Sequence, residues 1–386
     1  MTLRISILAH ALRAAGGLSV GRNMLVALAR VAPQHQYQIT IPGETDCEEV
    51  GYEDICDSFP DCQKVVYAHT SPWRRLWYEA REVRRLVMAF RPDVLLGLGN
   101  RGIICPPCPQ AVMLQDAHYF YPFKHYGKIT LYWRLKYHYD FMHLRRVIRQ
   151  TQLVLCQTPV AQRRIRDFYG YDGRMLIVPN TISQFLGRQE DPSLPVPLRP
   201  YAQKMRLFCL SNFYGHKNLE MLPGLFRRYA RELRDVVVVL TLPEQNKDAR
   251  HFLRAIRQRD VAEHFVNVGP LPQMELAGYY RHCQALFLPT LMESFSGTYV
   301  EAMHFGVPVL TSDLDFARAV CGEAALYFDP WRPETIKDAI VRLRKTPGLA
   351  EELVAKGKAH LSGASRSWDE IASEVMASLL EIAEKQ

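Results

Sequence analysis

From Met205 to Leu310 the chain alternates short β-branched apolar runs with longer amphipathic ones. Strands are predicted at Leu207–Leu210, Val236–Leu242 and Phe265–Val268, separated by helices at Leu219–Arg234, Ala249–Arg259 and Glu275–His282. A strand that is apolar on both faces needs cover on both, and helices between successive strands supply it. The pattern therefore predicts a parallel α/β sheet, which binds ligands beyond the carboxyl ends of its strands.

The same alternation occurs before Met205. Strands are predicted at Arg4–Ala9, Tyr37–Ile41, Val65–Tyr67, Val94–Leu96, Ala111–Leu114, Leu153–Cys156 and Met175–Thr181. Helices are predicted at Val20–Arg30, Trp73–Phe90, Ile129–Arg149 and Val160–Phe168. Asp191 to Pro200 contains four prolines, which cannot continue a helix, and reads as a linker. With 386 residues there is enough chain for two domains, each with its own core. The final amphipathic helix, Ser367–Lys385, carries Ile371, Val375, Leu379 and Ile382 at helical spacing.

Ligand chemistry concentrates at three strand exits. The run Leu286–Leu288 leads into Glu293, then Phe295-Ser296-Gly297-Thr298, then a helix holding Glu301, with seven residues between the two glutamates. Amides at a helix start lack intrahelical partners and the dipole there is positive, which suits phosphate. After Leu210 comes Ser211-Asn212-Phe213-Tyr214-Gly215-His216-Lys217, a loop with a lysine. After the first strand, Gly16 and Gly17 form a predicted turn leading into a helix. The run Gly16-Gly17-Leu18-Ser19-Val20-Gly21 fails the GxGxxG spacing of dinucleotide-binding proteins, which argues against a nicotinamide dehydrogenase.

Two acids at this spacing around a small-residue loop, followed by Ala302-Met303, resemble the donor signature of family 4 retaining nucleotide-sugar glycosyltransferases, which have the GT-B fold. The resemblance implies two Rossmann-like domains facing across a cleft, with the last helix crossing back to the first domain. The expected bounds are 1–183 together with 367–386 for the acceptor-side domain, and 184–366 for the donor domain. Glu301 would hold the donor ribose, and Glu293 would lie by the transferred sugar. The amides of Ser296, Gly297 and Thr298, beside Phe295, would hold phosphate and sugar, and Gly16 and Gly17 would face the diphosphate. Lys217 matches the lysine that neutralises the diphosphate, whereas Asn212 stands where relatives carry an arginine. Leu271, after Gly269-Pro270, falls where relatives cradle the base. Relatives place a histidine beside the sugar. Here Gln115 occupies that place and His118 follows three residues later, with Asp116 between, so His118 is taken as the second catalytic candidate.

The implied reaction moves a sugar from a nucleotide diphosphate to a saccharide or lipid-linked hydroxyl with retention, in bacterial surface polysaccharide or glycolipid synthesis. It uses neither metal nor cofactor. The rival reading is a catalytically inactive GT-B protein that binds sugar nucleotides. Tyr119–Gln150 is dense in aromatic residues and in Lys and Arg, a mix that suits either lipid headgroups or a buried aromatic face with a solvated basic edge. A net charge of +8 suits nucleotide diphosphates, anionic lipid surfaces and nucleic acid alike, and the resemblance implies that the partners are the nucleotide sugar, the acceptor and an anionic membrane surface, not nucleic acid. No run approaches the roughly 20 apolar residues of a membrane span, and no signal segment is recognised, so the expected location is cytoplasmic, peripheral on the inner membrane face. The nine cysteines are expected reduced; Cys105-Pro-Pro-Cys108 has CxxC spacing but no second pair for zinc, and Cys47, Cys56 and Cys62 are expected unpaired.

Overall fold

A computed structural model describes residues 2–13, 15–43, 51–67, 78–127, 129–186, 193–258, 260–364 and 366–385. The chain divides into two compact units, one comprising Met1–Tyr121, Thr130–Ser183 and Arg366–Gln386, the other Pro122–Ile129 and Gln184–Ser365.

The first unit is built on seven strands: β1 (Arg4–Leu8), β2 (Gln36–Pro42), β3 (Cys62–Tyr67), β4 (Val94–Gly97), β5 (Gln110–Leu114), β6 (Leu153–Cys156) and β7 (Arg174–Ile177). They run parallel in the order β3-β2-β1-β4-β5-β6-β7. The strand order reverses direction between β1 and β4, which opens a crevice at their carboxyl ends. Ile5, Ile7, Val94, Leu95 and Leu96 are wholly buried, as their continuous apolar runs require. The C-terminal helix Trp368–Glu384 packs on the helix Ala15–Val31. It starts with a capping box in which the Ser367 side chain and Glu370 exchange bonds with each other's backbone. The Trp368 indole N–H donates to the Ile182 carbonyl at 3.0 Å, tying this helix to the end of the β7 exit.

The second unit has six parallel strands: β8 (Met205–Cys209), β9 (Val236–Leu240), β10 (Phe265–Asn267), β11 (Ala285–Leu288), β12 (Val309–Ser312) and β13 (Ala325–Phe328). Their order is β10-β9-β8-β11-β12-β13, so this sheet reverses between β8 and β11.

Three expectations need correction. Gly16 and Gly17 do not form a turn ahead of the helix; both lie in its first turn, since the helix spans Ala15–Val31. Neither has a positive φ, and a Cβ at Gly16 would meet nothing, so the backbone there does not demand glycine. The helix predicted over Leu219–Arg234 is a short 3₁₀ turn followed by a helix at Leu222–Arg228; Pro223 sits at its start, and Tyr229 already leaves helical geometry. Within Trp73–Phe90, residues 73–77, with Arg74 and Arg75, lie outside the described residues. The remainder is a π-helix at Tyr78–Val83 running into an α-helix at Arg84–Phe90. Cys47 and the first residues of the predicted linker, 191 and 192, also lie outside the described residues, and Val196–Tyr201 forms a 3₁₀ helix.

Candidate functional site

In the second unit, the β8 and β11 exits meet because the main chain of one loop caps the other. The His216 carbonyl accepts from the Leu291 amide at 2.7 Å and from the Thr290 hydroxyl at 3.1 Å. Asn218 takes a left-handed conformation, with φ of 58°, closing the 3₁₀ turn Gly215–Lys217. Its side chain donates to the Pro330 carbonyl at 3.1 Å. These bonds fix Lys217 opposite Glu293, and the two side chains form an ion pair with only 16% and 15% of each exposed. The His216 ring stacks on Tyr214, with centroids 5.6 Å apart.

The helix Gly297–His304 begins beside this pair. Ser296 occupies its cap position, yet its hydroxyl shares a hydrogen bond with the Thr298 hydroxyl at 2.9 Å and does not cap the helix. With no acidic residue in the first turn, nothing in the helix itself neutralises its positive end. One turn on, Glu301 accepts from the Tyr280 hydroxyl at 2.8 Å. Burial pushes the Glu301 carboxyl above its usual range, although this bond opposes the rise. Burial likewise raises Tyr280, so its proton stays on the phenol and its role is that of donor.

Asn212 is half-buried just past β8, where its carbonyl accepts from the Ser211 hydroxyl at 2.7 Å. Phe295 is half-buried in the glutamate loop. Leu271 is half-buried past β10, after Gly269, whose φ of 77° requires glycine. The structure thus groups Lys217, Glu293, Ser296, Gly297, Thr298 and Glu301 around the reversal of the second sheet. Tyr280 was missed by sequence reading, since it belongs to the preceding helix, Leu276–His282, on the other side of β11, and nothing in its local pattern marks it.

In the first unit, Asp116 and His118 form a pair past β5: the Asp116 carboxylate lies 2.6 Å from His118 Nδ1 and also accepts from the His118 amide at 3.0 Å. The ring stacks on Tyr137 at 4.7 Å. Asn100, another missed residue, has a φ of 63°, and its side-chain oxygen accepts from the amides of Gln115 and Asp116 at 2.9 and 3.2 Å. It thereby sets the path of the chain that carries His118. Gly17 lies close to Gln115, whose side-chain nitrogen would be 3.6 Å from a Cβ at that position.

Cys105 and Cys108 are free thiols, one exposed and one buried, and burial pushes the Cys108 thiol up to about 12. Cys56 and Cys62 are also free. Among the described residues, no group of three or more His, Cys, Asp or Glu is placed to hold a metal.

Residues 204–346 match the family described as Glycosyl transferases group 1. No curated protein sequence matches the chain. Among solved structures, sucrose-phosphate synthase from Thermosynechococcus elongatus superposes with a TM-score of 0.75 at 14% identity, covering 100% of both chains. HepE from Anabaena, in complex with UDP and glucose, gives 0.71 at 12% identity over 98% of this chain and 100% of its own. WaaG, a glycosyltransferase involved in lipopolysaccharide biosynthesis, gives 0.70 at 15% identity, covering 97% and 99%. At such identities the likeness shows the fold, that of the two-domain GT-B glycosyltransferases.

Proposed function

We propose, from the match of residues 204–346 to the group 1 glycosyltransferases, that this enzyme transfers a sugar, with retention, from a nucleotide diphosphate to a hydroxyl of a saccharide or lipid-linked acceptor. The observation that carries the reading is the convergence of Lys217, Glu293, the open helix start at Gly297 and Glu301 on one sheet reversal.

As the glycosidic bond breaks, negative charge builds on the departing diphosphate. Lys217 and the amides of Gly297 and Thr298 offset that charge without moving, because His216 and Asn218 already hold the loops. Without the arginine that relatives carry at the Asn212 position, Lys217 is the main side-chain cation for this task. Glu301, kept in place by Tyr280, accepts from the ribose hydroxyls. Glu293 stands by the transferred sugar, with Asn212, Phe295 and Leu271 completing the donor contacts. In the first unit, His118 with Asp116 serves the sugar side, and the start of the helix Ala15–Val31, with Gly16 and Gly17, offers further amides. The chemistry takes no metal or cofactor in this reading.

The acceptor is proposed to be presented at an anionic membrane surface. The helix Leu131–Ile148 leaves Leu131, Tyr132, Trp133, Leu135 and Tyr139 exposed, interleaved with Arg134 and Lys136. Leu131 and Leu135 are 70% and 63% exposed, which a water-only surface gives no reason to keep. Among the described residues, no helix is long and apolar enough to cross a membrane. In this reading the contact is made on the cytoplasmic face, in surface polysaccharide or glycolipid assembly.

HepE was seen with UDP and glucose, so UDP-glucose is the first donor to test. A thermal-shift screen of nucleotide sugars, followed by NMR of the product anomer, tests the reading. Stabilisation by a sugar nucleotide with a product of unchanged anomeric configuration supports it. An inverted product would refute retention, and failure of every sugar nucleotide to bind would refute the donor site.

A further inference from the structure

A second polar cluster lies where the first sheet reverses, and the donor chemistry does not use it. Past β4, Arg101 is buried, with 9% of its side chain exposed. Its Nε is sealed from solvent and makes no hydrogen bond; the nearest carboxylate oxygen, Glu79 Oε1, is 3.5 Å away. Past β1, which adjoins β4, His10 is 1% exposed and its Nε2 lies 3.2 Å from the same Glu79 oxygen. Its Nδ1 is buried and makes no hydrogen bond. Glu79 reaches this place from the π-helix Tyr78–Val83, whose wider turn is a frequent mark of functional segments.

A guanidinium presents five donors in a fixed fork, and sealing one of them, the Arg101 Nε, from solvent without a hydrogen bond is costly unless a ligand supplies an acceptor. We infer that Arg101, Glu79 and His10 form the acceptor subsite and bind adjacent hydroxyl groups of an uncharged sugar ring. A sugar hydroxyl accepts from Arg101 while donating to Glu79 or to the open His10 nitrogen, so one diol satisfies both kinds of group. An anionic acceptor fits less well. Arg101 already lies in the field of Glu79, Asp140 and Asp116, and the nearby Lys136 ammonium is bonded to Asp140 at 2.8 Å. A further negative charge would meet three carboxylates. The aromatic ladder of Trp133, Tyr137 and His118 stands on the same unit and offers apolar ring faces.

This inference rests on the glycosyl-transfer reading, and the test separates the two. The full chain is titrated with methyl α-glucopyranoside, methyl α-galactopyranoside and methyl α-mannopyranoside, and with glucuronate and glucose 6-phosphate, by ligand-observed NMR. UDP binding is measured in parallel. Expected is saturable binding of at least one neutral glycoside, weakened about tenfold or more in Arg101→Met and Glu79→Gln, with UDP affinity unchanged. Arg101→Lys keeps the charge but loses the fork, and should show the same loss with a melting temperature close to the parent's. Tighter binding of glucuronate or the phosphate, binding of no neutral glycoside, or full binding by the Arg101 variants would overturn it. Loss of UDP binding in the parent would strike the donor reading and leave the glycoside result standing on its own.

Discussion

Replacing Lys217 by methionine removes the cation paired with Glu293 and keeps the length of the side chain. Both members of the pair are about five-sixths buried, at 16% and 15% exposure. Breaking such a pair from one side leaves a largely desolvated, unpaired carboxylate and costs about 3 kcal/mol of stability. Removing both charges in Lys217→Met/Glu293→Gln should recover most of that loss, because no unpaired charge remains. Binding reads out a second consequence. A charge-assisted bond to the diphosphate contributes about 1.5–3 kcal/mol, so the single variant should bind UDP roughly 10- to 100-fold more weakly. Glu293→Gln should move UDP affinity the other way, since it removes a negative charge beside the phosphates and frees Lys217, while transfer to acceptor is lost. Urea unfolding and calorimetric UDP titration on the four proteins of the cycle measure both effects. An unchanged UDP affinity in Lys217→Met would refute the lysine's part in binding the leaving group. A double variant no more stable than the single would refute the ion-pair argument.

Glu301 has its folded-state pKa raised by burial, so its contribution to stability is complete below the unfolded carboxyl range and is lost as pH rises through the raised value. Glu301→Gln should therefore melt higher than the parent at pH 8 and no higher at pH 4, while binding UDP-glucose about 10-fold or more weakly; equal melting shifts at both pH values would contradict the burial argument. Tyr280→Phe strips Glu301 of its 2.8 Å bond and should destabilise by about 1–3 kcal/mol, measured by urea unfolding. Asn100→Gly keeps the left-handed backbone but loses two bonds to the Gln115 and Asp116 amides, so it should cost about 1–3 kcal/mol and lower kcat with little change in UDP binding. Leu131→Glu/Leu135→Glu should abolish co-sedimentation with anionic vesicles at low salt and leave the melting temperature within a few degrees, because both side chains are exposed.

The sequence alone determined the sheets and marked most of the side chains that the structure groups at the reversal of the second sheet. Runs such as Val236–Leu240 are apolar at every position, which permits only a strand covered on both faces, and the alternation with helices makes the sheet parallel. The glutamates, the small-residue loop and Lys217 are legible for the same reason: their chemistry is written in side chains at fixed local spacing. Gly16 and Gly17 misled, because glycine permits a turn without compelling one, and the helix absorbed both. The Leu219–Arg234 periodicity misled too, since apolar spacing does not show where a helix stops. Tertiary structure decided which loops touch. The His216 carbonyl that joins two strand exits is main chain, identical at every residue, and leaves no mark in the sequence. Tyr280, Asn100, Arg101 and Glu79 acquire meaning only from neighbours far along the chain, because burial and hydrogen-bond pairing are properties of position in space, which only the folded sheet order supplies.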